Sequence, residues 1–168
     1  MPRNLELKVH SKSFTNIKKA IKKTNAEYIG ELVQKDIYYK TAKGLLKLRI
    51  ENGQQSLIKY LRDEKGKDRW SDFHVLTFAD GNAEELLKDI FDIETIVEKK
   101  RLLYVYNNTR IHLDEVKGLG KFLELETLVL KGLPDAKRRF KNTIDILDLD
   151  FKNQIKKSYK NLIEEKKK

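Results

Sequence analysis

Charged residues recur two positions apart along this chain: Glu6 and Lys8, Lys47 and Arg49, Lys99 and Arg101, Glu124 and Glu126. Leu5, Leu7 and Val9, then Leu46, Leu48 and Ile50, then Leu123 and Leu125 stand between them. Period-two alternation is that of a β-strand, so each charged pair shares one strand face. Carboxylate oxygens are hard ligands for small divalent cations, and lysine and arginine donate to phosphate oxygens. If the faces converge, they form a polar chamber holding both signs of charge, which suits a metal–polyphosphate ligand. Taken singly, each pair reads as an exposed cross-strand pair worth at most about 1 kcal/mol.

The elements that must position these residues follow from the same periodicity and from turn residues. Strands are expected over Asn4–Val9, Gln34–Lys40, Leu45–Glu51, Ser56–Arg62, Trp70–Phe78, Thr95–Tyr106, Arg110–Val116 and Phe122–Leu130. Asn52-Gly53 and Asn107-Asn108 mark hairpins, and Asp63–Asp68 reads as a polar loop. Helices are expected over Phe14–Lys23, capped by Ser11 or Ser13, over Asn82–Phe91 with Leu86, Leu87, Ile90 and Phe91 inward, and over Asp135–Leu147 and Asn153–Glu164. An antiparallel sheet that is polar on one whole face cannot bury that face in a core. It can close into an eight-stranded barrel around a wet lumen, with helices on its apolar outside. The fold class is therefore α+β.

Composition bounds the rest. The chain has 168 residues, 37% of them charged, a net charge of +10 and no cysteine. Disulfides and thiolate metal sites are excluded. No apolar run is long enough to span a bilayer and no apolar leader follows Met1, so a cytoplasmic protein without a membrane partner is expected. The positive charge points to a polyanion, but no helix carries a basic stripe interleaved with aromatics, which argues against nucleic acid.

Longer motifs give these residues a family likeness. Asn4-x-Glu6-x-Lys8 resembles a Glu-x-Glu-x-Lys signature, Leu46-Lys47-Leu48-Arg49-Ile50 a basic strand, and Val97-x-Lys99-x-Arg101 a second one. Ile111-His112-Leu113-Asp114-Glu115-Val116-Lys117-Gly118-Leu119-Gly120-Lys121-Phe122-Leu123-Glu124-Leu125-Glu126 resembles the most specific stretch, and Ser158-Tyr159 with Leu162 a C-terminal helix. In that order they resemble the CYTH domain, or triphosphate tunnel metalloenzyme, superfamily. The resemblance implies a single domain over 1–168, folded as a closed eight-stranded antiparallel tunnel. It also implies Mg2+ or Mn2+ as cofactor and a triphosphate-bearing small molecule, ATP or tripolyphosphate, as partner. A homodimer stays open. Residue by residue, the resemblance implies Glu6, Asp114, Glu124 and Glu126 as metal ligands, with Asn4 able to join them. It implies Lys8, Lys47, Arg49, Lys99 and Arg101 on the triphosphate, with Lys8, Arg49 and Arg101 catalytic. Strand parity adds Arg62 to the triphosphate contacts and sends Lys59 to the surface.

Three functions follow as alternatives. The stretch around Asp114 is most similar to class IV adenylate cyclase-like proteins, which would convert ATP to cyclic AMP and pyrophosphate. An inorganic tripolyphosphatase or another triphosphate phosphohydrolase would use the same cradle. A nucleotide- or polyphosphate-binding module with little turnover is the third. Asn4, standing where the signature has its first Glu, removes one negative charge from the metal site. His112 shares parity with Asp114, which gives it a structural or substrate-contacting place on the lumen side, while His10 and His74 are expected on the surface.

Overall fold

The computed structural model describes residues 1–62 and 65–168. Its strands are β1 (Arg3–Ser11), β2 (Glu27–Tyr39), β3 (Leu45–Glu51), β4 (Gln54–Arg62), β5 (Arg69–Thr77), β6 (Ile93–Tyr106), β7 (Thr109–Val116) and β8 (Gly120–Leu128). They close in the order β1-β5-β4-β3-β2-β6-β7-β8, every neighbouring pair antiparallel. The helices are α1 (Thr15–Lys22), α2 (Ala83–Ile90), α3 (Leu133–Ile146) and α4 (Tyr159–Lys167). Of the polar loop expected over Asp63–Asp68, residues 63 and 64 lie outside the described residues. Among the described residues, no helix is long and apolar enough to cross a membrane.

Alternation sorts each strand between two environments. Leu5, Leu7, Val9, Ile111, Leu113, Leu123 and Leu125 face outward and are buried under Phe14 and Ile21 of the α1 segment and Phe140 and Leu147 of the α3 segment. Ile37, Tyr39 and Leu48 are covered by Ala83 and Leu87 of α2. The residues between them point into the barrel. Both expected hairpins form. Asn52 and Gly53 (φ 48° and 86°) and Asn107 and Asn108 (φ 46° and 55°) hold the positive angles that a tight two-residue turn of matching twist requires.

Four expectations need correction. Strand β2 starts at Glu27, seven residues before Gln34. Its first half packs on β6 but leaves Tyr28, Ile29 and Val33 about half exposed, so no buried face imposes alternation there. Helix α1 begins after Phe14 with no side-chain cap; Ser13 Oγ accepts the Thr15 N–H at 3.2 Å and shares a hydrogen bond with Thr15 Oγ1 at 3.0 Å. In α2 the buried residues are Ala83 and Leu87, four apart, while Leu86 and Ile90 lie on the adjacent stripe, 57% and 60% exposed, and Phe91 is partly exposed with its ring against Tyr39. Helix α4 begins at Tyr159 instead of Asn153, because the chain before it is tied to β1: Ile155 N–H donates to the Lys8 carbonyl at 2.7 Å.

Candidate functional site

The inward side chains line a cavity of about 130 Å³. Around it stand Asn4, Glu6 and Lys8 from β1, Asp36 and Tyr38 from β2, and Lys47 and Arg49 from β3. Tyr60 and Arg62 of β4, Lys99 and Arg101 of β6, and Glu124 and Glu126 of β8 complete the wall. Tyr159 reaches in from the start of α4, so the C-terminal segment closes over one mouth. A wider groove of about 1060 Å³ runs outside the barrel by the β7–β8 turn. Two of its lysines are already paired, Lys117 with Glu98 at 2.5 Å and Lys121 with Glu115 at 3.6 Å, so the strongest charge concentration lies within the lumen.

Every residue expected at the site is on this lumen, Asp114 included, buried behind Arg101. Arg62 points inward, and Lys59 points out to Thr41 Oγ1 and the Lys43 carbonyl. The lumen resolves into three clusters. In the first, Asp36 is the hub: its oxygens accept from Lys47 Nζ at 2.9 Å, Arg49 Nε and Nη2 at 2.8 Å each, and Lys99 Nζ at 2.8 Å. Burial opposes the Asp36 charge, yet Arg49, Lys47 and Lys99 hold its carboxyl well below the usual range. Burial, reinforced by Arg49, pulls the Lys47 ammonium down to about 7.

In the second cluster, Arg101 grips Asp114 with two bonds, 2.6 and 2.7 Å, and reaches Glu124 at 3.1 Å. Tyr159 Oη donates to Asp114 at 2.8 Å. Both Asp114 oxygens are thus engaged by protein, and the residue serves here to aim Arg101. In the third, Glu6 faces Arg62 Nε at 3.1 Å and Arg69 Nε at 3.6 Å, and burial raises its pKa despite those cations. Lys8 donates to the Lys157 carbonyl at 3.1 Å, lies over the Tyr159 ring at 4.0 Å, and stands 3.7 Å from Glu124. Burial brings its pKa down to about 7.

Which groups could hold a metal follows from which oxygens are free. Glu124, Glu126 and His112 offer ligand atoms that all lie within 4.8 Å of one another. Among the described residues, the ion-pair partners of Glu126 are Arg110 and His112, at 3.7 and 3.9 Å. A hard divalent cation fits that oxygen pair, with phosphate or water completing its shell. Glu6 and Asp114, also expected as ligands, lie outside that set and face guanidinium groups in this structure.

Reading the sequence missed Asp36, Arg69 and the part played by Tyr159. Asp36 belongs to a period-two set with Gln34 and Tyr38 in a strand read for its tyrosines and isoleucine. Arg69 is 1% exposed, and its three side-chain nitrogens make no hydrogen bond to the described residues. It has the parity of Ser71 and pairs in register with Glu6, so extending β5 by one residue would have found it.

Comparison with known proteins comes down to family and fold. The CYTH domain model matches residues 3–159. A protein from Pyrococcus horikoshii OT3 (PH1819) superposes with a TM-score of 0.73 at 28% identity, covering 97% of this chain and 99% of its own. An adenylate cyclase candidate from Vibrio parahaemolyticus shares the fold with a TM-score of 0.78 at 19% identity, over 96% of this chain and 97% of that one. An adenylyl cyclase candidate from Hippeastrum, described as having a dominant triphosphatase activity, shares it at 0.67 and 13% identity, over 99% and 96%. No curated protein matches the sequence.

Proposed function

The chain belongs to the CYTH domain family, and on that premise we propose that its lumen binds a triphosphate chain together with a divalent cation and hydrolyses it. The observation that carries this reading is the trio Lys47, Arg49 and Lys99, all gathered within 2.9 Å of one carboxylate beside the cavity. Cations packed so closely in a buried site are matched by a ligand carrying several negative charges in a row. Glu124 and Glu126 would hold the cation, which supplies a second positive charge against the phosphate oxygens.

The protein groups do the positioning. Lys47, Arg49 and Lys99 take one end of the phosphate chain, and Lys8, Arg62 and Arg69 the other. Arg101, held by Asp114, faces the charge that develops on the leaving group. Water oxygen bonds to the terminal phosphorus, the bridging P–O bond breaks, and its electron pair leaves with the remaining phosphates. The water's proton passes to solvent. Fixed cations contribute most because phosphoryl transfer depends mainly on positioning and charge stabilisation.

A free volume of about 130 Å³ favours the phosphate chain over a whole nucleotide, since pockets that enclose drug-sized ligands run from about 300 to 1,000 Å³. Cyclisation of ATP, as in a class IV adenylate cyclase, is the second reading; Asn4 on the cavity wall favours it by weakening the metal site that water attack would use. Tripolyphosphate and ATP are each incubated with Mg2+ and with Mn2+, and orthophosphate, pyrophosphate and cyclic nucleotide are quantified. Orthophosphate release, reduced about 10²–10³-fold by Lys99→Ala, is the expected result. Cyclic nucleotide with pyrophosphate and no orthophosphate establishes cyclisation instead. Saturable binding without product leaves a binding module.

A further inference from the structure

His112 is buried as deeply as the hydrophobic core: its exposure is 0%. Neither ring nitrogen has a hydrogen-bond partner among the described residues. Nδ1 stands 3.8 Å from Glu124 Oε2 and Nε2 stands 3.9 Å from Glu126 Oε2. Register explains the placement, since His112 lies directly opposite Glu124 across the β7–β8 ladder. Leaving a buried polar atom unpaired costs about 1–3 kcal/mol. The surroundings make the arrangement less favourable still. A neutral imidazole carries one N–H and one lone pair. With a glutamate on each side, the lone pair must face an anionic oxygen, which repels it. A cation between the two turns that repulsion into two bonds. A nitrogen–oxygen gap of 3.9 Å is too long for a hydrogen bond, but it is close to the span of two metal–ligand bonds of about 2.0–2.2 Å each.

We infer that His112 is a nitrogen ligand in the lumen's cation site, completing a set with Glu126 and Glu124, and that it makes the site select a first-row transition cation such as Mn2+ over Mg2+. The inference rests on the proposed reading that the lumen holds a divalent cation. The Glu126 side of the ring is the better placed, because Glu124 Oε2 already accepts from Arg101 at 3.1 Å. The selectivity is a matter of donor type. Mg2+ binds oxygen and gives up its water reluctantly. Imidazole nitrogen suits transition ions, and Mn2+ also accepts the carboxylate and phosphate oxygens that share this site.

The test uses the full chain stripped of metal, titrated with Mn2+ in the presence of tripolyphosphate and followed by pulsed electron paramagnetic resonance. Nitrogen-14 coupling on the bound Mn2+ is expected in the wild type and lost in His112→Gln. The same variant should bind Mn2+ about tenfold more weakly while its Mg2+ affinity stays nearly constant. Bound Mn2+ without nitrogen coupling overturns the inference and leaves the oxygen-ligated site standing. So does coupling that persists in His112→Gln, since the chain has only two other histidines, His10 and His74. If no Mn2+ binds, orthophosphate release with Mg2+ on the same preparation separates the two claims. Release then overturns the role of His112 alone, and no release overturns the cation-site reading with it. Should His112→Gln fail to fold, a His10→Gln, His74→Gln double variant is grown with nitrogen-15 histidine. A switch of the coupling to nitrogen-15 assigns it to His112, and its absence overturns the inference.

Discussion

Replacing Asp36 with Asn removes one negative charge from the lumen and almost nothing else. Asp36 is 1% exposed and accepts hydrogen bonds from three cationic side chains. Without the carboxylate, Lys47, Arg49 and Lys99 are left in a buried space with no counter-ion between them. Breaking a buried charge pair by removing one partner costs about 3–5 kcal/mol. The lower end applies here, because Lys47 can release its proton near pH 7 and relieve part of the repulsion. The empty Asp36→Asn protein should therefore lose about 3 kcal/mol of stability at pH 6 and less at pH 8.

Ligand binding should move the other way. A carboxylate and a phosphate charge about 6 Å apart at an effective dielectric of about 20 repel by about 3 kcal/mol, or about a hundredfold in affinity. Asp36 offsets the mutual repulsion of the three cations it gathers, and on the proposed function it would compete with the ligand for them. Asp36→Asn should thus bind tripolyphosphate more tightly than the wild type, and added tripolyphosphate should restore most of its lost stability. Urea unfolding with and without tripolyphosphate, together with calorimetric titration at fixed ionic strength, measures both halves. Turnover at saturation should not rise, since the gain is made equally in ground and transition states. An Asn variant that is as stable as wild type and binds tripolyphosphate more weakly would refute the reasoning, and Asp36 would then be a residue that positions the cations without competing for them.

Three other substitutions probe the same lumen. Arg62→Ala should lower kcat/KM about 10²–10³-fold while Lys59→Ala, three positions earlier on β4 and on its outer face, leaves it unchanged; equal effects would mean that β4 is read in the wrong parity. Lys47 has a folded pKa of about 7, against about 10.4 unfolded, so between pH 7 and 10 the unfolded chain holds more protons and stability rises with pH. Lys47→Met should flatten that rise, and it should reduce the proton uptake that accompanies tripolyphosphate binding at pH 8, measured by calorimetry in buffers of different ionisation enthalpy. Asn4→Glu restores a negative charge on the cavity wall beside Glu6 and should lower the metal concentration needed for half-maximal turnover, seen in paired Mg2+ titrations; an unchanged requirement would place Asn4 away from the cation.

The inward set of β1 and β8 was legible because Leu5, Leu7, Val9, Leu123 and Leu125 form buried apolar outer faces that force period two into the sequence, whereas β6 leaves Ile96, Glu98 and Lys100 exposed outside and was found by its Lys99-x-Arg101 spacing. Where both faces of a strand are wet, or where a strand ends, the signal fails. The first half of β2 carries Tyr28, Ile29 and Val33 in the open, so nothing there distinguishes inside from outside. Arg69 was lost to the neighbouring loop because one residue at a strand boundary has no periodicity to declare it. The hub at Asp36 could be placed inside but not recognised as a hub, since its three partners come from β3 and β6 and meet it only through strand order. Helix α2 erred for a related reason. Four apolar residues near each other suggest one face, but two turns of helix on a curved barrel bury only the stripe of Ala83 and Leu87.

Charge counting shows why such a lumen tolerates burial at all. Lys8, Lys47, Arg49, Arg62, Arg69, Lys99, Arg101 and Arg110 face Glu6, Asp36, Asp114, Glu124 and Glu126, three fewer carboxylates than cations. Burying unpaired ions is far more costly than pairing them, and all five acids sit within hydrogen-bond or ion-pair distance of an arginine. The surplus is concentrated at Arg69, whose nitrogens have no hydrogen-bonded partner among the described residues, and at the lysines whose pKa falls to about 7. On the proposed function, a triphosphate with one bound dication still carries net negative charge, so it would neutralise that surplus and let Lys8 and Lys47 regain their protons. The stability of the empty protein must then come from the other side of the same strands, where Leu5, Leu7, Leu113, Leu123 and Leu125 are sealed beneath α1 and α3. Period two thus separates folding from binding residue by residue. Odd positions of β1 hold the barrel together, and even positions line the lumen, where an anion of the proposed kind would offset the stability that burying their charges costs.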